Sequence, residues 1–213
     1  MSSEALFAGV LLLYLLAFFS INAHNVIRGL RARKGMRAYA ELERPKGLFM
    51  NLAALGTLVF FAEALLFVCL GLTSLGFYLR IRPPQLSFAH DLYVRSAGLV
   101  VMGAGFTVFV WSVVARGRYS VSWEMPDGQR LVTWGPYRFV RHPSYLGYFL
   151  MFVGLFLTWL NLVSLIPLMA IPGYVKVTET EEEMLTQRFG DVYREYQETT
   201  GRFLPRWTRR RGS

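Results

Sequence analysis

The chain has 213 residues, 54% of them hydrophobic and 17% charged. Soluble chains average about 25% charged residues, and here the apolar excess is gathered in runs long enough to span a bilayer, so the sequence reads as an integral membrane protein. The net charge of +9 then points to an anionic membrane surface and not to nucleic acid. One cysteine, Cys69, excludes a disulfide scaffold, and three scattered histidines, His24, His90 and His142, give no metal site of the usual zinc kind.

In chain order, the first apolar run is Ala5 to Ile21. It lacks a basic lead-in and a small-residue cleavage site, so it is expected to be a span and not a cleaved signal. The second, Leu48 to Leu79, has a single charge, Glu63, and exceeds the ~20 residues of one straight crossing. Glu63 is either a candidate for a substrate tunnel or an interhelical hydrogen-bonding or ion-pairing group. The third run, Leu92 to Ala115, carries Arg95 near one end, placed to snorkel. The fourth, Tyr145 to Val175, is interrupted by Asn161, Pro167 and Pro172, and is expected to form two short helices in a hairpin turning near Asn161.

The basic residues orient these spans. Loop 24–47 holds seven, loop 80–91 two, loop 116–143 five and tail 176–213 eight. With five spans, high and low counts alternate, which places the N-terminus outside and the C-terminus in the cytoplasm. The fold expected is therefore an all-α membrane protein with five transmembrane helices, the last two a hairpin, plus a cytoplasmic amphipathic C-terminal helix. It forms one integral membrane domain over 1–213. Within it, 1–91 is an N-terminal two-span region, 92–205 carries the chemistry and 206–213 is a basic tail suited to anionic lipid.

Two cytoplasmic segments hold the reactive residue types. In 129–147, Gly135-Pro136 marks a turn and Pro143 fits the first turn of a helix, which puts His142 at a helix N-terminus. Free N–H groups and the positive dipole end favour an anion there, and Tyr137, Arg138, Arg141 and Tyr145 crowd the same spot. An interfacial belt of Arg, Trp and Tyr explains the composition as well. In 178–205, Leu185, Phe189, Val192, Tyr193 and Tyr196 fall at helical spacing. At about 100° per residue Glu181 and Glu182 turn toward that apolar face and Glu183 away from it. Acids in a first turn also suit the helix dipole without any further role. Gly190 interrupts the pattern and permits close packing or a kink.

Gly-Pro-Tyr-x-x-x-Arg-His-Pro-Ser-Tyr-x-Gly at 135–147, followed by Glu-Glu-x-x-Leu-x-x-x-Phe-Gly-x-x-Tyr-x-x-Tyr at 181–196 and by Arg202-Phe203-x-Pro205, resembles the isoprenylcysteine carboxyl methyltransferase family. The resemblance covers roughly 92–205. It implies a multispan membrane enzyme that transfers a methyl group from S-adenosyl-L-methionine to a lipophilic substrate entering from the bilayer, with a hairpin for its last two spans. It also implies the site residues. Gln129, Arg130, Leu131 and Val132 would hold the adenosyl part. Tyr137, His142, Pro143, Ser144 and Tyr145 would wrap the cofactor, and Glu181 would bind it. Arg141 and Glu182 are expected at the reaction centre, Arg141 orienting the cofactor or an anionic substrate head. One position departs: where the family has a substrate-binding arginine four residues before the glutamate, this sequence has Val177, with Lys176 adjacent. No metal and no enzyme nucleophile are needed, because the sulfonium leaving group is already activated; positioning and water exclusion would carry catalysis. Three other readings stay open at this point: a phospholipid-amine N- or small-thiol S-methyltransferase, a membrane sterol-type reductase using NADPH, and a non-enzymatic scaffold.

Overall fold

The computed structural model describes residues 3–33, 40–41, 47–73, 85–117, 124–125 and 130–206. Its elements are α1 (Ser3–Arg33), β1 (Ala40–Glu41), α2 (Leu48–Leu72), α3 (Asp91–Arg116), β2 (Glu124–Met125), α4 (Pro143–Trp159), a 3-10 segment (Leu162–Met169), α5 (Ala170–Phe189) and α6 (Asp191–Thr199). The two-residue strands pair antiparallel, Ala40 opposite Met125. The other elements among the described residues are helical. Among these residues three stretches are long and apolar enough to cross a membrane: Ser3–Arg28, Leu48–Leu72 and Asp91–Arg116. The helix Pro143–Trp159 is apolar but shorter.

The helices pack through small residues. On α3 and α4, a Cβ added at Gly105 would lie 2.7 Å from the Gly147 carbonyl oxygen, and one at Gly147 would lie 2.9 Å from that of Gly105. Gly98 meets Leu157 and Thr158, and Gly154 meets Met102, so the two helices run antiparallel with their backbones in contact. In lipid, such close approach supplies the dispersion contact that apolar side chains facing lipid tails do not. An aromatic core fills the remaining space: Phe18 reaches Phe109 at 4.7 Å between ring centroids, and Phe60 reaches Phe152 at 5.3 Å.

The hairpin expected near Asn161 is present. Leu160 takes a left-handed conformation (φ 53°), and Asn161 caps the 3-10 segment by accepting from the Val163 N–H at 2.8 Å. Neither proline breaks the returning limb. Pro167 sits inside the 3-10 segment, and Pro172 lies in the first turn of α5, where a missing N–H is harmless.

α2 ends at Leu72, where the Thr73 N–H bonds back to the Cys69 carbonyl at 3.0 Å; the rest of the second apolar run, 74–79, lies outside the described residues. Two expectations are corrected. Arg95 does not snorkel. It is buried, pairs with Glu4 of α1 at 2.6 Å and donates from Nε to the Thr158 carbonyl at 2.8 Å, because α1 and the end of α4 offer it acceptors inside the bundle. The C-terminal amphipathic helix is not one element over 178–205. The second hairpin limb runs on as α5 to Phe189, and Gly190 (φ 56°) then turns the chain into α6. That break resets the helical phase, so Val192, placed by spacing on the apolar face, is exposed, while Tyr193 and Tyr196 are buried.

Candidate functional site

The site is built where the start of α4 meets the far end of α5. The turn Gly135–Arg138 is 3-10, with Pro136 and Tyr137 buried. It delivers Arg141 and His142 to the first turn of α4, whose first residue is Pro143. The chain after α6 then closes over this turn as a short parallel bridge: the Arg141 N–H donates to the Gly201 carbonyl at 2.8 Å and the His142 N–H to that of Arg202 at 3.1 Å. Gly201 is required in that bridge, since the Leu204 carbonyl sits where its Cβ would be. Tyr196 adds a third tie, its hydroxyl donating to the Tyr137 carbonyl at 2.6 Å.

Glu182 is the electrostatic centre. Its side chain is buried on the inner face of α5, one position from Glu181, while Glu183 points out to solvent, in the order the helical wheel gives. Oε1 of Glu182 receives Arg141 Nε at 2.9 Å, Arg141 Nη2 at 2.9 Å and His142 Nε2 at 3.0 Å. Its Oε2 receives Arg202 Nη2 at 3.0 Å and Gln197 Nε2 at 3.2 Å. Burial alone would push this carboxyl up; the hydrogen bonds from His142 and Arg202 and the charges of His142 and Arg141 outweigh it and hold the group at about 2. Arg141 is fully engaged by this arm, since its Nη1 donates to the Gln197 and Thr200 carbonyls as well.

His142 stands between two carboxylates. Nε2 faces Glu182, and Nδ1 faces Glu181 Oε2 at 3.5 Å. Burial pushes the imidazole down, yet the hydrogen bonds to Glu181 and Glu182 and their charges bring the net shift upward. Glu181 differs from its neighbour: it is only half-buried, with Oε1 accepting from the Tyr145 hydroxyl at 2.5 Å. Aromatic rings line this side. Tyr145 packs on Tyr174 (4.8 Å) and Tyr174 stacks on Tyr148 (5.4 Å, interplanar 10°), while Phe203 covers His142 at 6.0 Å. Tyr174 is fixed by a 2.6 Å hydrogen bond with Thr57 of α2. Beside Glu182, an open groove of about 500 Å³ is lined by Glu179, Glu183, Gln187, Gln197 and Arg202.

Of the residues expected at a site, the structure brings together Arg141, His142, Pro143, Tyr145, Glu181 and Glu182. Tyr137 lies beneath them, buried, with its carbonyl tied to Tyr196. Ser144 turns the other way: its hydroxyl bonds Ser112 at 2.8 Å and accepts from Arg116 Nη2 at 3.1 Å. Arg130 is exposed and Leu131 and Val132 are half-buried in the extended chain before the turn; Gln129 lies outside the described residues. Arg202, Gln197, Phe203 and Tyr174 were given no role from the sequence. Arg202 and Phe203 stand in the Arg-Phe-x-Pro motif, but only the closure of the arm reveals their contacts. Gln197 and Tyr174 carry no sequence signal. Gly147 belongs to the 135–147 motif for packing against Gly105.

Comparison with known proteins bears on this same region. The family model described as phospholipid methyltransferase (PEMT) matches residues 93–192. A protein-S-isoprenylcysteine O-methyltransferase of Schizosaccharomyces pombe is 33% identical over 115 residues, covering 53% of this chain and 44% of the relative. That of Dictyostelium discoideum is 31% identical over 114 residues, 53% and 44%. Protein-S-isoprenylcysteine O-methyltransferase A of Arabidopsis thaliana is 31% identical over 120 residues, 53% and 60%. The chain thus spans about half the length of the curated relatives it matches. A solved structure of the eukaryotic intramembrane Ras methyltransferase, isoprenylcysteine carboxyl methyltransferase, aligns at a TM-score of 0.46 and 25% identity over 74% of this chain and 52% of that one. The protein is an integral membrane protein. The likeness read from its motifs holds: the segment that builds the site is similar in sequence to protein-S-isoprenylcysteine O-methyltransferases and matches the phospholipid methyltransferase model.

Proposed function

We propose that the chain is an S-adenosyl-L-methionine-dependent methyltransferase acting on a lipophilic substrate from the bilayer. The observation that carries this reading is Glu181: a half-exposed carboxylate held by the Tyr145 hydroxyl, facing His142, at the opening turn of α4 and beside stacked tyrosine rings. This donor set fits the cofactor. Glu181 suits its ammonium or ribose hydroxyls, the free N–H groups at the start of α4 suit its carboxylate, and the Tyr145 face suits a sulfonium. Tyr137, His142 and Pro143 shape the surrounding wall, Ser144 braces it from behind through Ser112 and Arg116, and 129–132 supply the approach for the adenosyl part. When bound, the cofactor supplies a methyl group already activated by the sulfonium.

The protein's own contribution is placement and dryness. Arg141 and Glu182 pair with each other and so act by holding the C-terminal arm shut over His142; the closed arm excludes water from the cofactor side. The bundle that supports this arm is read as five spans with the hairpin as the last two, the N-terminus outside and the arm in the cytoplasm. Membrane lipids surround it, and its substrate enters sideways.

A second reading concerns the acceptor. Val177 is buried where the family resemblance calls for a substrate-binding arginine, and the matching family model is described as phospholipid methyltransferase. Both point to a phospholipid amine, whereas the names of the curated relatives point to a prenylcysteine carboxylate. Calorimetric titration of the full chain with S-adenosylhomocysteine tests the cofactor: binding weakened at least ~10-fold in Glu181→Gln is expected, about the worth of one charge-assisted hydrogen bond. Neither heat nor thermal stabilisation in the unaltered protein refutes the assignment. Mass spectrometry of a lipid extract incubated with methyl-labelled cofactor then separates the acceptors: a base-labile methyl ester against a base-stable N-methyl product.

A further inference from the structure

Glu63 is the sole charge in α2, and its side chain is buried at 6% exposure. Neither carboxyl oxygen has a hydrogen-bonding partner among the described residues. Asn161, at the hairpin turn, is wholly buried, and its Nδ2 also lacks a partner, although its Oδ1 caps Val163.

Helix geometry puts the two in one place. A 3-10 segment has three residues per turn, so Asn161, Ser164, Pro167 and Ala170 form one stripe, and all four are buried. That stripe faces α2: a Cβ on Gly56 would lie 2.6 Å from the Ala170 Cβ and 3.1 Å from the Pro167 carbonyl oxygen. Glu63 is seven residues on from Gly56, within about 20° of the same face and about 10 Å further along the axis. Pro167 to Asn161 covers about 12 Å in the opposite chain direction. Helix geometry therefore sets Glu63 at the level of the Asn161–Ser164 end of the stripe. Ring contacts bracket that level. One turn before Glu63, Phe60 meets Phe152 at 5.3 Å; one turn after, Phe67 meets Trp159 at 5.5 Å.

We propose that Glu63, Asn161 and Ser164 enclose an internal water that fastens the hairpin turn to α2. An ionised carboxylate buried in an apolar helix and lacking a counter-charge among the described residues is unfavourable, so Glu63 is taken as the neutral acid, with one O–H donor. The water accepts from that O–H and from Asn161 Nδ2, and it donates to the Ser164 hydroxyl oxygen. That oxygen still has acceptor capacity, because its own proton goes to the Asn161 carbonyl at 2.6 Å. Three hydrogen bonds are the usual complement of a buried water. The site ties the motif-free first half of the chain to the hairpin without any charge.

Infrared difference spectroscopy of the full chain in lipid, in ordinary and in oxygen-18 water, tests this. Two features are expected: a protonated-carboxyl band that Glu63→Gln removes and Asn161→Ser shifts, and an internal O–H stretch sensitive to oxygen-18 that Glu63→Leu abolishes. Serine at 161 retains a capping oxygen for Val163, so that variant reads the lost Nδ2 donor even if Glu63→Leu does not fold. No acid band assignable to Glu63 would overturn the proposal. So would an acid band without the isotope-sensitive stretch, which means direct Glu63–Asn161 contact or a lipid group in the site.

Discussion

Replacing Glu182 by Gln removes the negative charge at the centre of the C-terminal arm while leaving its shape. Two routes give the magnitude. A buried ion pair that loses one partner is destabilised by about 3–5 kcal/mol, and both Arg141 and Glu182 have side chains under a tenth exposed. Independently, a carboxyl held at about 2 against an ordinary 4.5 corresponds to about 3 kcal/mol of linkage. Gln keeps a carbonyl acceptor, so the lower figure applies. The loss is local, because the contacts of Glu182 close the bridge from Arg141 and His142 to Gly201 and Arg202. Hydrogen exchange at those two amides reads it directly: about 3 kcal/mol means opening about 100-fold more often. Glu183→Gln, exposed and one residue away, is the control and leaves both amides unchanged. Unchanged exchange in Glu182→Gln refutes the clamp. The pH dependence has two limbs. Glu182, with a lowered value, contributes above 4.5 and is lost as the pH falls toward 2. His142, with a raised value, contributes fully below 6.5 and is lost as the pH climbs through its folded value. Protection, corrected for intrinsic rates, is therefore greatest between about pH 4.5 and 6.5 and declines on both sides.

Three further outcomes are expected. Gly147→Ala pushes a methyl toward the Gly105 carbonyl at 2.9 Å and lowers thermal stability in detergent by about 1–3 kcal/mol, a typical overpacking cost, although the residue lies in the motif and has no polar role; an unchanged midpoint contradicts the small-residue seam. Arg95→Met and Glu4→Gln separate the members of an asymmetric pair. Glu4→Gln leaves a buried guanidinium without its carboxylate, but the carboxylate is 44% exposed, so screening limits the loss to about 1 kcal/mol; Arg95→Met also strips the Thr158 carbonyl of its donor and is the more destabilised variant in the same melt. Tyr145→Phe removes the hydroxyl that holds Glu181 and weakens S-adenosylhomocysteine binding about 5–10-fold by calorimetry, near 1 kcal/mol, while leaving arm protection intact; loss of both together would mean that Tyr145 belongs to the clamp.

Local pattern reached a good part of this molecule. The apolar runs, the turn beside Asn161, the start of α4 at Pro143 and the inward turn of Glu181 and Glu182 all stem from rules acting over one or two helical turns, and each is present in the fold. Arg95 shows where such rules stop. Its position near a helix end suggested an escape to the interface, but the choice depended on Glu4, 91 residues away, and on a carbonyl left free at the end of α4. Val192 fails for a related reason: its face was counted through Gly190, whose positive φ breaks the phase.

Sequence by itself determined a helical membrane chain and the residue types of its chemistry, because hydropathy and helical period are written along the chain. Tertiary structure decided which of those residues are free to meet a ligand. Arg141 and Glu182 look reactive one at a time, yet a guanidinium and a carboxylate brought 2.9 Å apart within a buried arm satisfy each other, and Glu181, one position earlier and half-exposed, retains a face turned outward. That division arises from the closing of 197–203 over the start of α4, a contact between segments some sixty residues apart that no local periodicity encodes.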